Sequence, residues 1–141
     1  MPTNSGLDDQ LFTKLLESIS HTPFYQLLGM KVKELGPGYA EFTVMPEEKH
    51  TNPLGIIHGG LLMTIADAAM GNAIRSLGIR AVTVDCSTGL VSSATLGTEI
   101  IARGRVLKAG RNMIFTEAFV YAGDKLITTA KGTFFRTGDI T

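Results

Sequence analysis

The spacing of hydrophobic residues changes character twice along the chain. In "SGLDDQLFTKLLESISHTPFYQLLG", Leu7, Leu11, Leu15 and Ile19 recur near the helical period, which predicts an amphipathic helix. Asp8 and Asp9 fall in its expected first turn, where carboxylates suit the positive end of the helix dipole. Thr22-Pro23 restarts the chain as a second short helix that Gly29 ends. From Met30 the period drops to two. Met30 and Val32 on one arm, and Tyr39 to Met45 on the other, predict a hairpin turning at Gly36-Pro37-Gly38. Pro46 closes it, and "EEKHTNPLGII" reads as a loop.

Gly59-Gly60 then opens a helical stretch to about Leu77, ended by Gly78. From Gly60 to Leu77 it is apolar nearly all round, which predicts a helix enclosed by other structure. Beyond Gly78 the texture becomes that of strands. "AVTVDCSTGLVSSA", "TEIIARGRVLKAG", "RNMIFTEAFVYAG" and "DKLITTAKGTFFRTG" predict four antiparallel strands in consecutive hairpins, with tight turns at Ala109-Gly110 and Gly123-Asp124. Strands in series, not alternating with helices, predict an α+β class. The simplest enclosure is a curved antiparallel sheet wrapped around the long helix. The expected division is an N-terminal helical segment, residues 1–28, packed on one domain, residues 29–141. No internal repeat is present.

Composition narrows the chemistry. The 141 residues suit one domain able to bury a core without metals or disulfides. Thirteen basic and 13 acidic side chains cancel, which gives no support for nucleic-acid or acidic-membrane partners. Cys86 is the only cysteine, so no internal disulfide can form. The polar start "MPTNSGLDDQLF" does not read as a signal peptide, and no run is long enough to span a bilayer. The expected location is the cytoplasm. His21, His50 and His58 lack ligand-like spacing, so no metal is expected. Neither a nucleophile elbow nor a nucleotide fingerprint is present.

One carboxylate stands out. Asp67 is the lone charge in "NPLGIIHGGLLMTIADAAMG", and a charge inside an apolar helix is costly unless compensated. Two glycines at a helix start also expose N–H groups at the positive end of the dipole, where a carbonyl would be polarised. The same pair serves equally as a plain tight turn.

These residues resemble the hotdog-fold acyl-CoA thioesterases, most closely the phenylacetate-degradation (PaaI-like) branch. The motif there reads Asn-x-x-Gly-x-x-His-Gly-Gly followed by a helical Asp. Asn52, Gly55, His58, Gly59, Gly60 and Asp67 match every position, and Thr83 in "VTVDCS" matches a hydroxyl residue after the helix. The resemblance covers about residues 24 to 137. It implies a hotdog fold, self-association as a dimer or dimer of dimers, and an active site between subunits. Asp67 lies about 12 Å along the axis from Gly59, too far to reach a thioester held at its own helix start, so the resemblance implies that it acts on the partner's.

The implied catalytic set is Asp67, Asn52, Gly60, His58 and Thr83. Asp67 drives the attack, as general base or as nucleophile. Asn52 and the Gly60 N–H polarise the carbonyl, His58 supports the loop, and Thr83 holds the water. Gly59, Leu61, Met63, Ser92 and Arg111 are expected to bind substrate, with Ile65 also lining the acyl pocket. Arg105, Lys108, Lys131 and Arg136 could add to a basic rim for the coenzyme A phosphates. Ser93 could join Ser92 on the pantetheine arm, and Asp85 has no firm role. Coenzyme A is expected only as part of the substrate, with no separate cofactor. Two other readings stay open: an enoyl-CoA hydratase or dehydratase of the same fold, against which the lack of a proline after His-Gly counts, and a non-catalytic acyl-CoA-binding protein.

Overall fold

The computed structural model describes residues 1–140. Among these residues, three α-helices and seven strands follow one another as β1 (Thr3–Asn4), α1 (Asp9–Ser20), α2 (Pro23–Leu28), β2 (Lys31–Gly36), β3 (Tyr39–Val44), α3 (Gly59–Arg75), β4 (Ile79–Leu90), β5 (Ile100–Ala109), β6 (Met113–Ala122) and β7 (Lys125–Asp139), with a 3-10 turn at Glu48–His50 before α3. The strands form one sheet in the order β1-β2-β3-β5-β6-β7-β4. The sheet wraps α3, which packs against β3, β4, β5, β6 and β7.

The α+β class and the β2–β3 hairpin stand as expected. The four consecutive hairpins do not. β5, β6 and β7 pair in series, but β4 pairs with β7, from Ile79 opposite Asp139 to Leu90 opposite Thr128. The cause is α3, which lies across the sheet and delivers the chain to the far edge, where β4 can pair only with β7. Residues 91–99 then return it to β5. β1 was not expected either: two residues run parallel to Glu34 and Leu35, too few to leave a period.

Close approach holds α3 to the sheet. A Cβ at Gly104 of β5 would fall 2.5 Å from the carbonyl carbon of Ala69, so any larger residue would push the helix off. Leu62, Ile65, Ala66, Ala69, Met70 and Ala73 fill this contact, facing Phe42, Ile100, Ile114, Val120 and Phe134. Leu7, Leu15 and Ile19 belong to the same core, so the N-terminal helices share it. Asp8 is the N-cap of α1 and not part of its first turn. Its carboxylate accepts the Gln10 and Leu11 N–H groups at 3.1 and 3.2 Å.

The expectation of a helix enclosed all round is corrected. The sheet covers one side of α3. Gly60, Thr64, Asp67 and Gly71 are only half-buried and Met63 is exposed. These are among the small, polar or flexible positions of the helix. Because Gly and Met count as apolar, composition hid a stripe that the chain's own sheet leaves open. Among the described residues, no helix is long and apolar enough to cross a membrane.

Candidate active site

The approach to α3 is a miniature hairpin fixed by backbone bonds. Thr51 bridges Ile57, His58 N–H donates to His50 O at 2.8 Å, and Asn52 N–H donates to Ile56 O at 2.8 Å. His50 is buried and anchors it. Its Nδ1 accepts the Glu47 N–H at 2.9 Å and its Nε2 donates to Leu28 O at 2.8 Å, tying the loop to the end of α2. His50 is thus a structural histidine, as its lack of ligand spacing suggests.

This frame sets what Asn52 can offer. Its Oδ1 accepts from Leu54 N–H at 2.9 Å and Ile56 N–H at 3.3 Å, so the carbonyl end of the amide is spent on the turn. The Nδ2 end is the donor end, and no acceptor among the described residues takes it. The turn-forming and ligand-facing uses of Asn52 therefore coexist in one side chain.

His58 is the N-cap of α3, and its Nδ1 accepts the Gly60 N–H at 2.8 Å. This corrects the expectation that both glycine N–H groups lie open. The Gly60 donor is occupied by an imidazole only two residues away. The Gly59 N–H has no acceptor among the described residues, and Gly59 is packed closely: a Cβ there would fall 2.6 Å from Leu90 Cδ1. The open pair of donors at the helix start is thus Gly59 N–H and Asn52 Nδ2, both near the positive end of a 17-residue helix.

Two turns on, Asp67 lies on the uncovered stripe. Thr83 Oγ1 donates to Asp67 Oδ1 at 2.8 Å, so the structure joins two residues that are 16 apart in sequence. One carboxylate oxygen is held by the hydroxyl, while Oδ2 has no such bond among the described residues. The charge lies at an open margin and not inside a closed core, which explains how the helix tolerates it.

The remaining candidates divide. Met63, one turn before Asp67, is exposed on the same side. Leu61 and Ile65 are buried in the core, so within the chain they support the helix and line no open surface. Their apolar character misled, because helix phase turns them toward the sheet. Ser92 is half-buried just past Leu90, at the Gly59 end, and Ser93 beside it is exposed. Arg111 is exposed in the β5–β6 turn, beside Arg136, whose main-chain N–H donates to Asn112 O. That turn lies beyond the Thr83 end of β4, so Ser92 and Arg111 lie toward opposite ends of β4. Arg105 is ion-paired to Glu117, and Arg136 bonds Gly110 O and neighbours Asp139, which removes both from a free basic rim. Lys108 and Lys131 are exposed, as is Asp85 on the β4 edge. Among the described residues, no group of three His, Cys, Asp or Glu side chains could hold a metal.

No motif or period in the sequence points to Tyr25, Asn72 and Arg75, yet they form a hydrogen-bonded network between α2 and the second half of α3. Asn72 Nδ2 donates to Tyr25 Oη at 3.2 Å and to Ala68 O at 2.8 Å, and Arg75 donates to Asn72 Oδ1 at 2.9 Å and Ser18 Oγ at 2.6 Å. Burial raises the Tyr25 phenol above its ordinary value, and the Asp67 charge adds to the rise. Burial lowers Arg75.

Known proteins resemble this chain in sequence and in fold. Human acyl-coenzyme A thioesterase 13 is 34% identical over 96 residues, 66% of this chain and 69% of its own. The PaaI protein of the Escherichia coli phenylacetic acid degradation operon is 22% identical, with a TM-score of 0.88 over 96% of this chain and 100% of that one, which shows a shared fold. The smu.793 protein of Streptococcus mutans, solved bound to acetyl CoA, is 26% identical, with a TM-score of 0.76 over 79% of this chain and 91% of that one. The family description "Thioesterase superfamily" matches residues 54–128, a span that begins in the Asn52 loop and contains Gly59, Asp67 and Thr83. With a sheet wrapped around a central helix, this chain has the hotdog fold and belongs to the thioesterase superfamily.

Proposed function

We propose that the protein hydrolyses acyl-CoA thioesters to free acid and coenzyme A, at a site shared between two copies of the chain. The observation that carries this is the Asp67–Thr83 hydrogen bond on the open stripe of α3. Two free donors, Gly59 N–H and Asn52 Nδ2, sit about 12 Å away at the helix start. One chain cannot bring both halves to one carbonyl, and a second copy set against the stripe can.

The supporting surface is β4. It is an edge strand of 12 residues with Val82, Val84 and Leu90 exposed, followed by exposed Val91. A long apolar edge with unpaired backbone groups is an aggregation hazard unless another strand covers it. A second β4 would cover it, extend the sheet and bring the α3 stripes into proximity.

In the step proposed, Asp67 Oδ2 takes a proton from water while Thr83 steadies Oδ1. The water oxygen attacks the thioester carbon, and the partner's Gly59 N–H and Asn52 amide hold the developing oxyanion. The C–S bond then breaks, and the proton passes to the coenzyme A thiolate. Losing one such oxyanion donor typically costs about 3 kcal/mol of barrier. Gly60 contributes through its cap with His58, which fixes the helix start.

The test is thiol release from an acyl-CoA panel, run beside enoyl-CoA hydration. Hydrolysis is expected and hydration is not. Tight binding with neither reaction would make the protein a binding module. Single turnover in oxygen-18 water should label the released acid. Unlabelled acid would make Asp67 the nucleophile instead. Sedimentation should show a dimer or larger, and a lone monomer at micromolar concentration would break the shared-site reading.

A further inference from the structure

A second β4 could meet the first in several registers, and only one of them brings the two halves of the site together. A bulge narrows the choice. Thr83 pairs with Phe134 and Asp85 with Thr133, so Val84 is an extra residue on β4 with no partner on β7. In a regular strand Thr83 and Asp85 would share a face. The bulge instead turns Thr83 toward α3 and Asp85 away from it. It also interrupts the strand edge, so the run open to a regular ladder is residues 85–90.

The contacts between β4 and α3 narrow it further. Thr83 holds Asp67, and Leu90 presses on Gly59, where a Cβ would fall 2.6 Å from Leu90 Cδ1. Both side chains are on the helix face of the sheet. Cys86 shares that face, opposite Gly132, where a Cβ would fall 3.1 Å from Met70 Cε of α3. One half of the site is thus attached near each end of β4.

Symmetry supplies the rest. A closed pair of identical chains has a two-fold axis. For both α3 helices to lie on one side of the extended sheet, that axis must be normal to the sheet. Opposed residues on antiparallel strands point to the same face, and faces alternate along each strand. The axis therefore passes beside a residue that faces its own copy. At Ser87 it gives a ladder of residues 85–89, and at Thr88 one of residues 86–90. At Cys86 or Gly89 it leaves only 85–87 or 88–90. With the axis at Thr88, the partner's Leu90 faces Cys86, on the far side of the bulge from Thr83. With the axis at Ser87, Asp85 faces the partner's Gly89, Val84 is the extra residue, and Thr83 faces the partner's Leu90 on the helix side.

We propose that two copies of this chain pair along β4 with Ser87 on the two-fold axis. The partner's Leu90 then lies opposite Thr83 and carries the partner's Gly59 N–H to the Asp67–Thr83 pair, and the symmetry-related contacts build a second site. Leu90 is a positioning residue, and the bulge at Val84 is what lets Thr83 meet it on the same face. This rests on the shared-site reading and specifies its partner.

The register can be read from Asp85, Ser87 and Gly89, all exposed and all facing away from α3. In a Cys86→Ser background, Asp85→Cys, Ser87→Cys and Gly89→Cys are oxidised separately, and the rate of covalent dimer formation is measured. Facing copies of residue 87 lie about 5 Å apart at Cβ. Copies of residue 85, and of residue 89, are offset by about 13 Å along the strand. Ser87→Cys should crosslink at least tenfold faster than the other two, and those two should match within twofold. Fast rates at 87 and 89 with 85 slow would move the axis to Thr88. Fast rates at 85 and 87 with 89 slow would move it to Cys86. Either pattern, equal rates at all three, or no crosslink would overturn the proposal. In the unsubstituted protein, the amides of residues 85–89 that point away from β7 should exchange at least tenfold more slowly in the concentrated dimer than after dilution to monomer, and equal exchange would also overturn it. Thiol release separates the register from the reaction. The expected crosslinking without thiol release would remove the hydrolysis and leave the pairing, whereas thiol release with rates that peak elsewhere would remove the pairing alone.

Discussion

The two faces of α3 differ in side chains and have opposite roles. The face toward the sheet carries Leu62, Ile65, Ala66, Ala69 and Met70, all buried, with Gly104 opposite to admit the backbone. The other face carries Gly60, Met63, Thr64, Asp67 and Gly71, none of them fully buried. Packing decides the first face, and each residue there is held by its neighbours. On the second, Gly60, Thr64 and Gly71 are small, Met63 is exposed, Asp67 is bonded to Thr83 of β4, and the chain's own sheet leaves the space open. A helix that is apolar on average can thus be a core element on one side and a site on the other.

The sharpest way to separate the faces is to damage each alone. Ile65→Ala, in the closed face, should cost about 2–5 kcal/mol of stability in denaturant unfolding, with kcat near normal in whatever remains folded. Asp67→Asn, in the open face, should do the reverse. Its melting temperature should stay within a degree or two, while thiol release falls at least a hundredfold, about 2.7 kcal/mol of barrier. Near-normal turnover in Asp67→Asn would end the role given to that residue.

Smaller effects sharpen the open face. Thr83→Ala should lower kcat about tenfold, the scale of one hydrogen bond to a charged group at about 1.5 kcal/mol, and Thr83→Ser should restore most of it. His58→Ala removes the acceptor for Gly60 N–H and should cost about 1 kcal/mol of stability as a lost cap. If His58→Ala instead left stability intact and reduced kcat more than tenfold, the ring would belong to the reaction and not to the helix start.

Much of the site was legible because it is local. Asn52, His58, Gly59 and Gly60 lie within nine consecutive residues, and the turn and the cap they form depend on neighbours in sequence. Which glycine N–H stays open was not legible. That turns on the rotamer of His58, whose ring caps Gly60 and leaves Gly59. The Asp67–Thr83 pair was expected only through resemblance, since nothing in a strand's period shows which helix residue it will meet. Leu61 and Ile65 were misplaced as pocket residues because hydrophobicity alone does not say which way a helix turns. Tyr25 left no trace, because its partner Asn72 is 47 residues away.

The sequence by itself determined the elements and their class. Period, turn residues and caps act over a few positions, and they specify two short helices, a hairpin, one long helix and a run of strands. Only the tertiary structure decided that β4 crosses to the edge beside β7, that one side of α3 stays open, and that Thr83 meets Asp67 there. These are decisions of packing. They depend on how closely Gly104 lets the helix approach the sheet and on where the helix then delivers the chain.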